Sequence, residues 1–352
     1  MTNVVVSTGA CGQGWTATGA GRQRFRLRNT DTRPGEVYLV DAATGGVVAS
    51  VDDLGPGTVT PMTVDLGGGR YRFECVMEDA AVVRGAVVAV AGAPGVAGVR
   101  PVSMQDLIPA TKAYEAYVRK QLPNLVTLVD RLDRDVRTGR LARARHDWLA
   151  AHLAYERLGA AYGAFGDVDD AVNGRAAGLQ DGVRDSRFTG FHRIEYGLWH
   201  GQPAAEIRPY TAGLVRDVRD LARAFASARI DPLDVSIRAH EITENALQFE
   251  LSGRSDYGSG SALATVRANL DGTRVVLDLL RPLLAPRYPA ARLVDHRISR
   301  TMADLEAIRR HGTWPSLAAL SRSQREQIDA DVSELTELLA PVASILEPRR
   351  TS

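Results

Sequence analysis

FTGFHRIEYGLWHG, residues 188 to 201, sets His192 and Glu195 three positions apart among Phe188, Phe191, Ile194, Leu198 and Trp199. Steps of three and four residues lay one helical face along Phe188, Phe191, Glu195 and Leu198, with His192 one step round from it. On a helix of about 3.6 residues per turn the two ionisable groups stand roughly 60° apart, so both reach one point beside the helix. Burying such groups unpaired is costly. The stretch therefore predicts a helix that carries polar chemistry into the interior of a bundle.

Two other predicted helices repeat the pattern. Around residue 150 an apolar seam runs through Leu141, Ala144, Trp148, Ala151, Tyr155, Leu158 and Tyr162, with His152 and Glu156 on the face beside it. In the helix opened by the cap Asp231 and by Pro232 at its first position, the stripe reads Leu233, Ile237, His240, Glu244, Leu247 and Leu251. The spacing A-H-x-x-x-E occurs in both, as AHLAYE and AHEITE, an echo that suggests duplication. Each couple alone reads as a buried hydrogen-bonded pair. Three couples in a chain with only 7 histidines point instead to a metal site, since bundles build such sites from carboxylates and imidazoles on facing helices. The expected ligands are His192, Glu195, Glu156, His240, Glu241 and Glu244, with His152 as a supporting partner. Iron, zinc and manganese suit this donor set.

Working outward, helical periodicity runs from 109 to 349, about 240 residues, which is too much for one four-helix bundle and suits two. Before it, AGAPGVAGVRP marks a linker, placed at 94–108. Residues 1–93 read as a small β-sandwich: RFRLRN alternates Phe25 and Leu27 with arginines, and Gly/Pro turns separate short β-branched runs. The expected fold is therefore multidomain, β plus all-α. In YRFEC, Tyr71, Phe73 and Cys75 share a strand face, which turns Cys75 inward and brings it near Cys11. A disulfide closing a loop of about 65 residues, worth about 4 kcal/mol in the chain-entropy model, two reduced thiols, and shared metal ligation with Glu36 and Met77 nearby all remain open here.

The 352 residues carry 43 Lys+Arg against 42 Asp+Glu, with arginine spread along the chain, which argues against a nucleic-acid partner. No stretch approaches the roughly 18 apolar residues of a membrane span, and MTNVVVSTGACGQGW lacks the regions of a signal peptide.

YERLGAAYGAFGDVDDAVNG followed by DSRFTGFHRIEYGLWHG closely resembles the imelysin, or M75, family, whose H-x-x-E signature matches His192 and Glu195. The preceding region, with Cys11, Glu36, Phe73 and Cys75, is similar to the cupredoxin-like domain of EfeO-type iron uptake components. The resemblance implies a cupredoxin-like sandwich followed by two four-helix bundles, and an iron carrier of an EfeUOB-type system. Its iron, ferrous or ferric, would be bound through H-x-x-E, with copper or iron binding in the β domain, and copper or zinc as further metals of the protein. It implies Glu156 as a further ligand, and Cys11, Glu36, Phe73 and Cys75, joined by Met77, as cupredoxin-site candidates. A membrane iron permease and a haem-peroxidase-like component are the implied partners, and the cell envelope is the implied location, with the cytoplasm as alternative. Two positions depart from the family pattern: Gly159 and Asn173 stand where many relatives carry acids. No histidine occurs before residue 101, which excludes a blue-copper ligand set. The alternative function is a metal-dependent oxidase; a zinc peptidase is disfavoured because H-E-x-x-H does not occur.

Overall fold

The alternation in RFRLRN becomes one strand of a two-sheet unit. The computed structural model describes residues 1–16, 18–95 and 97–349. It divides into two units, one formed by Met1–Asp106 with the C-terminal stretch from Ile345, the other by Leu107–Ser344. The described strands are β1 (Thr2–Val6), β2 (Cys11–Gln13), β3 (Thr18–Gly19), β4 (Gly21–Asn29), β5 (Gly35–Asp41), β6 (Val47–Leu54), β7 (Val59–Leu66), β8 (Gly69–Met77), β9 (Val83–Arg84) and β10 (Val88–Ala91). One sheet runs β2-β1-β4-β7; the other runs β3-β10-β8-β5-β6, with β9 beside β8.

Both sheets turn one face to a shared core, as period-two strands with one apolar face must. Phe25 and Leu27 of β4 are buried there while Arg24, Arg26 and Arg28 are exposed. Trp15, Phe25 and Phe73 meet edge to face, with ring centroids 5.3, 5.4 and 5.2 Å apart. Cys11 on β2 and Cys75 on β8 form a disulfide with Cα atoms 5.8 Å apart, tying one sheet to the other. Of the three outcomes left open by the sequence, the structure selects this one, so neither sulfur is available to a metal.

The segment read as a linker is partly docked on the sheets. Val47 and Val99 exchange backbone hydrogen bonds of 2.8 and 2.9 Å, and Gly67 lies so close to Gly95 that a Cβ on it would come 1.9 Å from the Gly95 nitrogen. Only glycine permits that approach.

The helices are α1 (Met104–Arg137), α2 (Leu141–Glu156), α3 (Tyr162–Phe165), α4 (Asp167–Asn173), α5 (Gly190–Trp199), α6 (Ala204–Ala224), α7 (Pro232–Asn245), α8 (Ala262–Leu284), α9 (Ala291–Ile308) and α10 (Arg322–Ile345). The first begins at Met104, ahead of the expected 109. Helix α8 packs against α2, α7 and α9, and α5 against α2, α4 and α6. Helix α7 opens as its sequence dictates, with the Asp231 carboxylate accepting from the Leu233 nitrogen at 2.9 Å, and passes at its end into a π turn, Ala246–Leu251.

The stripe expected on α7 is displaced. Val235, Ser236, Ala239, Ile242 and Thr243 are buried, whereas Ile237 is 37% exposed and the His240 and Glu244 side chains are 27% and 58% exposed. The reason is close packing by small residues. Ile242 Cγ1 lies 3.1 Å from where a Cβ on Gly159 would stand, so the face that fits its neighbours is the Val235–Ala239–Ile242 face, in which Ser236, Ala239 and Thr243 interrupt the apolar signal.

Candidate functional site

Helices α2 and α5 supply the buried polar residues. Helix α5 enters through Gly190, whose φ of 71° favours glycine and whose Cβ, if present, would stand 2.1 Å from the Val172 carbonyl. Thr189 Oγ1 donates to the Ala171 carbonyl at 3.0 Å, fastening the same entry to α4. The first turn is thus fixed, and it presents His192 and Glu195, 2% and 1% exposed. On α2, Trp148 Nε1 donates to the Phe191 carbonyl at 2.9 Å, and its ring stacks on His152 at 4.9 Å between centroids. The His152 and His192 rings then lie 5.5 Å apart.

The two carboxylates are held differently. Glu195 Oε1 accepts from the Tyr257 nitrogen at 2.9 Å, the Ser259 nitrogen at 3.0 Å and Ser259 Oγ at 2.6 Å. Its Oε2 stands 3.4 Å from His192 Nδ1, so the loop after the π turn sets the carboxylate and the carboxylate sets the ring. Glu156 accepts from Asn173 Nδ2 at 2.8 Å on Oε1 and from Asn269 Nδ2 at 2.7 Å on Oε2. His152 Nε2 is 3.2 Å from Glu156 Oε1 in poor hydrogen-bond alignment, and His152 Nδ1 has no hydrogen-bond partner among the described residues.

Part of this network borders a cavity of about 710 Å³. His192 and Glu156 line it together with Asp169, Glu250, Asn269 and Arg175. Burial raises Glu156, but His152 beside it and the two amides outweigh burial and hold its carboxyl well below the usual range. Glu195 is likewise lowered, its burial outweighed by His192 and the Ser259 donors. Burial and the Glu156 charge push Glu250 up to about 7, and burial, with Glu156 adding to it, lifts Asp169 to about 6. Burial depresses His192, whereas the Glu156 carboxylate raises His152 against it. The cavity thus carries acids with well-separated affinities for protons, a pattern concentrated at functional sites.

The structure gathers some of the expected site residues and not others. His152, Glu156, His192 and Glu195 come together. His240, Glu241 and Glu244 do not line the cavity: Glu241 pairs with Arg238 at 2.9 Å, and His240 lies 3.9 Å from Glu244 on the partly exposed face of α7. The AHxxxE echo therefore does not place its two copies in equivalent surroundings. In the sheet unit Phe73, Cys75 and Met77 are core residues of β8, Cys11 is buried with them, and Glu36 sits two residues from its hydrogen-bond partner Tyr38, which packs on the opposite face of β5 from that core. Among the described residues no group of three or more His, Cys, Asp and Glu side chains stands ready to hold a metal ion. Glu250, Asp169 and Asn269 were missed by sequence reading. Asn269 left a trace, as a lone amide in the apolar run of α8, whereas Glu250 lies in the π turn that α-helical periodicity does not follow.

The imelysin (peptidase M75) family model matches residues 110–342. The iron uptake system component EfeO of Escherichia coli (strain K12) is 25% identical over 348 residues, covering 97% of this chain and 90% of that protein, and EfeO of Shigella flexneri matches to the same extent. Among solved structures, a protein named as an iron-regulated protein A precursor from Parabacteroides distasonis ATCC 8503 superposes with a TM-score of 0.50 at 13% identity, covering 68% of this chain and 95% of that one.

Proposed function

Because the chain belongs to the imelysin (peptidase M75) family, we propose that it is the iron-binding component of an iron uptake system, with the cavity beside His192 as the seat of its cargo. The near full-length similarity to the EfeO proteins supports the system. The observation that carries the site is the pairing of two buried His/Glu couples beside one carboxylate-lined cavity. A buried imidazole lacking hydrogen bonds, as His152 is, and the acids Glu250 and Asp169 raised by burial and by the Glu156 charge are costly alone and are relieved by a cation.

Each residue has a role in this reading. Glu195 orients His192 by taking its Nδ1, leaving the other ring nitrogen as a donor. Glu250 and Glu156 supply carboxylate charge, and His152 steadies Glu156. Delivery to a membrane permease, in concert with a haem-peroxidase-like component, completes the proposal. A disulfide of the kind found in oxidising compartments supports action outside the cytoplasm.

Equilibrium dialysis of the full chain against ferrous iron under argon tests the site. His192→Ala/Glu195→Ala should lose most of the iron bound by the wild type while far-ultraviolet circular dichroism stays nearly unchanged. Wild-type stoichiometry and affinity in that variant would overturn the assignment.

A further inference from the structure

Resting on that reading, we infer that the cavity takes iron together with a small oxyanion, a carbonate or a short polycarboxylate, seated by Arg175. The donors on the protein are largely committed. Both oxygens of Glu156 accept from asparagine amides, and Glu195 gives one oxygen to three donors and turns the other to His192. The second ring nitrogen of His192 and the carboxylates of Glu250, Asp169 and Asp170 remain on the lining, and among the described residues no three such groups converge to hold one ion. Even sparing non-haem iron sites use three protein ligands and leave the rest of the sphere to other molecules. A site short of three converging protein ligands therefore calls for a chelating companion.

The space and the charge for that companion are present. A cavity of about 710 Å³ far exceeds an ion with a few waters, each of which claims roughly 30 Å³. Three arginines reach its lining, and two are engaged: Arg187 holds Asp185 through bonds of 3.1 and 3.0 Å, and Arg238 holds Glu241 at 2.9 Å. Arg175 makes no ion pair among the described residues. Its guanidinium lies 3.5 Å over the Phe249 ring, a shelf that fixes the plane of the group. A planar fork held in that way matches a carboxylate or carbonate edge with two parallel hydrogen bonds. Phe249 and Glu250 are neighbours in the π turn, so one distortion of the helix places both the shelf for the anion and a ligand for the metal. Such local departures from α geometry are frequent at functional sites.

Dialysis of the full chain with radiolabelled citrate in one arm and radiolabelled bicarbonate in the other, each with and without anaerobic ferrous iron, tests this and separates the two anion sources. The expected result is retention of one label per iron, dependent on iron, in one of the arms. Arg175→Gln should weaken label retention by about ten- to a hundredfold, the range expected for a lost charge-assisted hydrogen-bonding pair, with helix content unchanged. Phe249→Leu, which keeps the charge and removes the shelf, should give a smaller loss. Iron retained with neither label, or label retained equally by Arg175→Gln, overturns the inference and leaves the iron site standing. Failure of the wild type to retain iron in any arm, or undiminished iron in His192→Ala, sinks the iron site and this inference with it.

Discussion

At the scale of single residues, Glu195 shows how much of the site is held by its neighbours. Its Oε1 satisfies two backbone nitrogens and a hydroxyl of residues 257–259. Glu195→Ala leaves those buried donors without a partner, each costing about 1–3 kcal/mol, so urea unfolding of the helical unit should register a loss of about 3 kcal/mol. A change below about 0.5 kcal/mol, the range of an ordinary surface substitution, would show that water replaces the carboxylate freely. Glu250 gives the opposite sign. Its folded pKa, pushed to about 7 by burial and Glu156, lies above the unfolded value, so ionising it in the fold costs stability that grows as pH rises from about 4.5 to 7. In iron-free protein Glu250→Gln should match the wild type near pH 4 and exceed it at pH 8; urea midpoints at the two pH values measure this, and equal midpoints at pH 8 would refute it. His192 and Glu195 were legible because their spacing in an apolar stretch is unusual. Glu250 was not, because its place depends on a π turn that sequence periodicity does not reveal.

At the scale of elements, the seam of α2 was readable from Trp148, Ala151 and Tyr155, all fully buried, and that of α7 was not. Large apolar residues mark a face well, but α7 is positioned by Ala239, Ile242 and the glycine opposite them, so Ile237 and His240 misled. Small residues carry little hydrophobic signal and much geometric information. The entry of α5 makes the same point and can be tested. Gly190→Ala places a side chain in left-handed backbone, at about 1–2 kcal/mol, and drives its Cβ toward the Val172 carbonyl, 2.1 Å away before relaxation. Thermal unfolding should show a loss above 2 kcal/mol, on the order of an overpacked core site. The tolerance typical of an exposed helix end is not expected here, and an unchanged midpoint would mean that α5 is set by Trp148 and Thr189 alone.

For the whole molecule, the division into a sheet unit and a helical unit was visible as a switch from period two to period 3.6, and the Gly/Pro-rich segment falls between the last strand, ending at Ala91, and the first helix, starting at Met104. Its docking on the sheets through Val99 and Gly95 was not visible, because backbone pairing by glycine and valine leaves no pattern. Each unit buries its own core, so the chain should unfold in more than one step. The disulfide lies wholly within the sheet unit and spans 64 residues of sequence. In the chain-entropy model such a loop contributes about 4 kcal/mol, all of it by restricting the unfolded state of that unit. Calorimetry with and without reductant should therefore show the sheet transition moving down sharply while the helical transition holds its place, and Cys11→Ser/Cys75→Ser should reproduce the shift without reductant. Iron, bound in the helical unit, should raise only the other transition, by an amount that grows with its free concentration. If reduction lowered both transitions together, or iron raised the one that reductant lowers, the two units would be a single cooperative body and the assignment of cargo binding to the helices alone would fail.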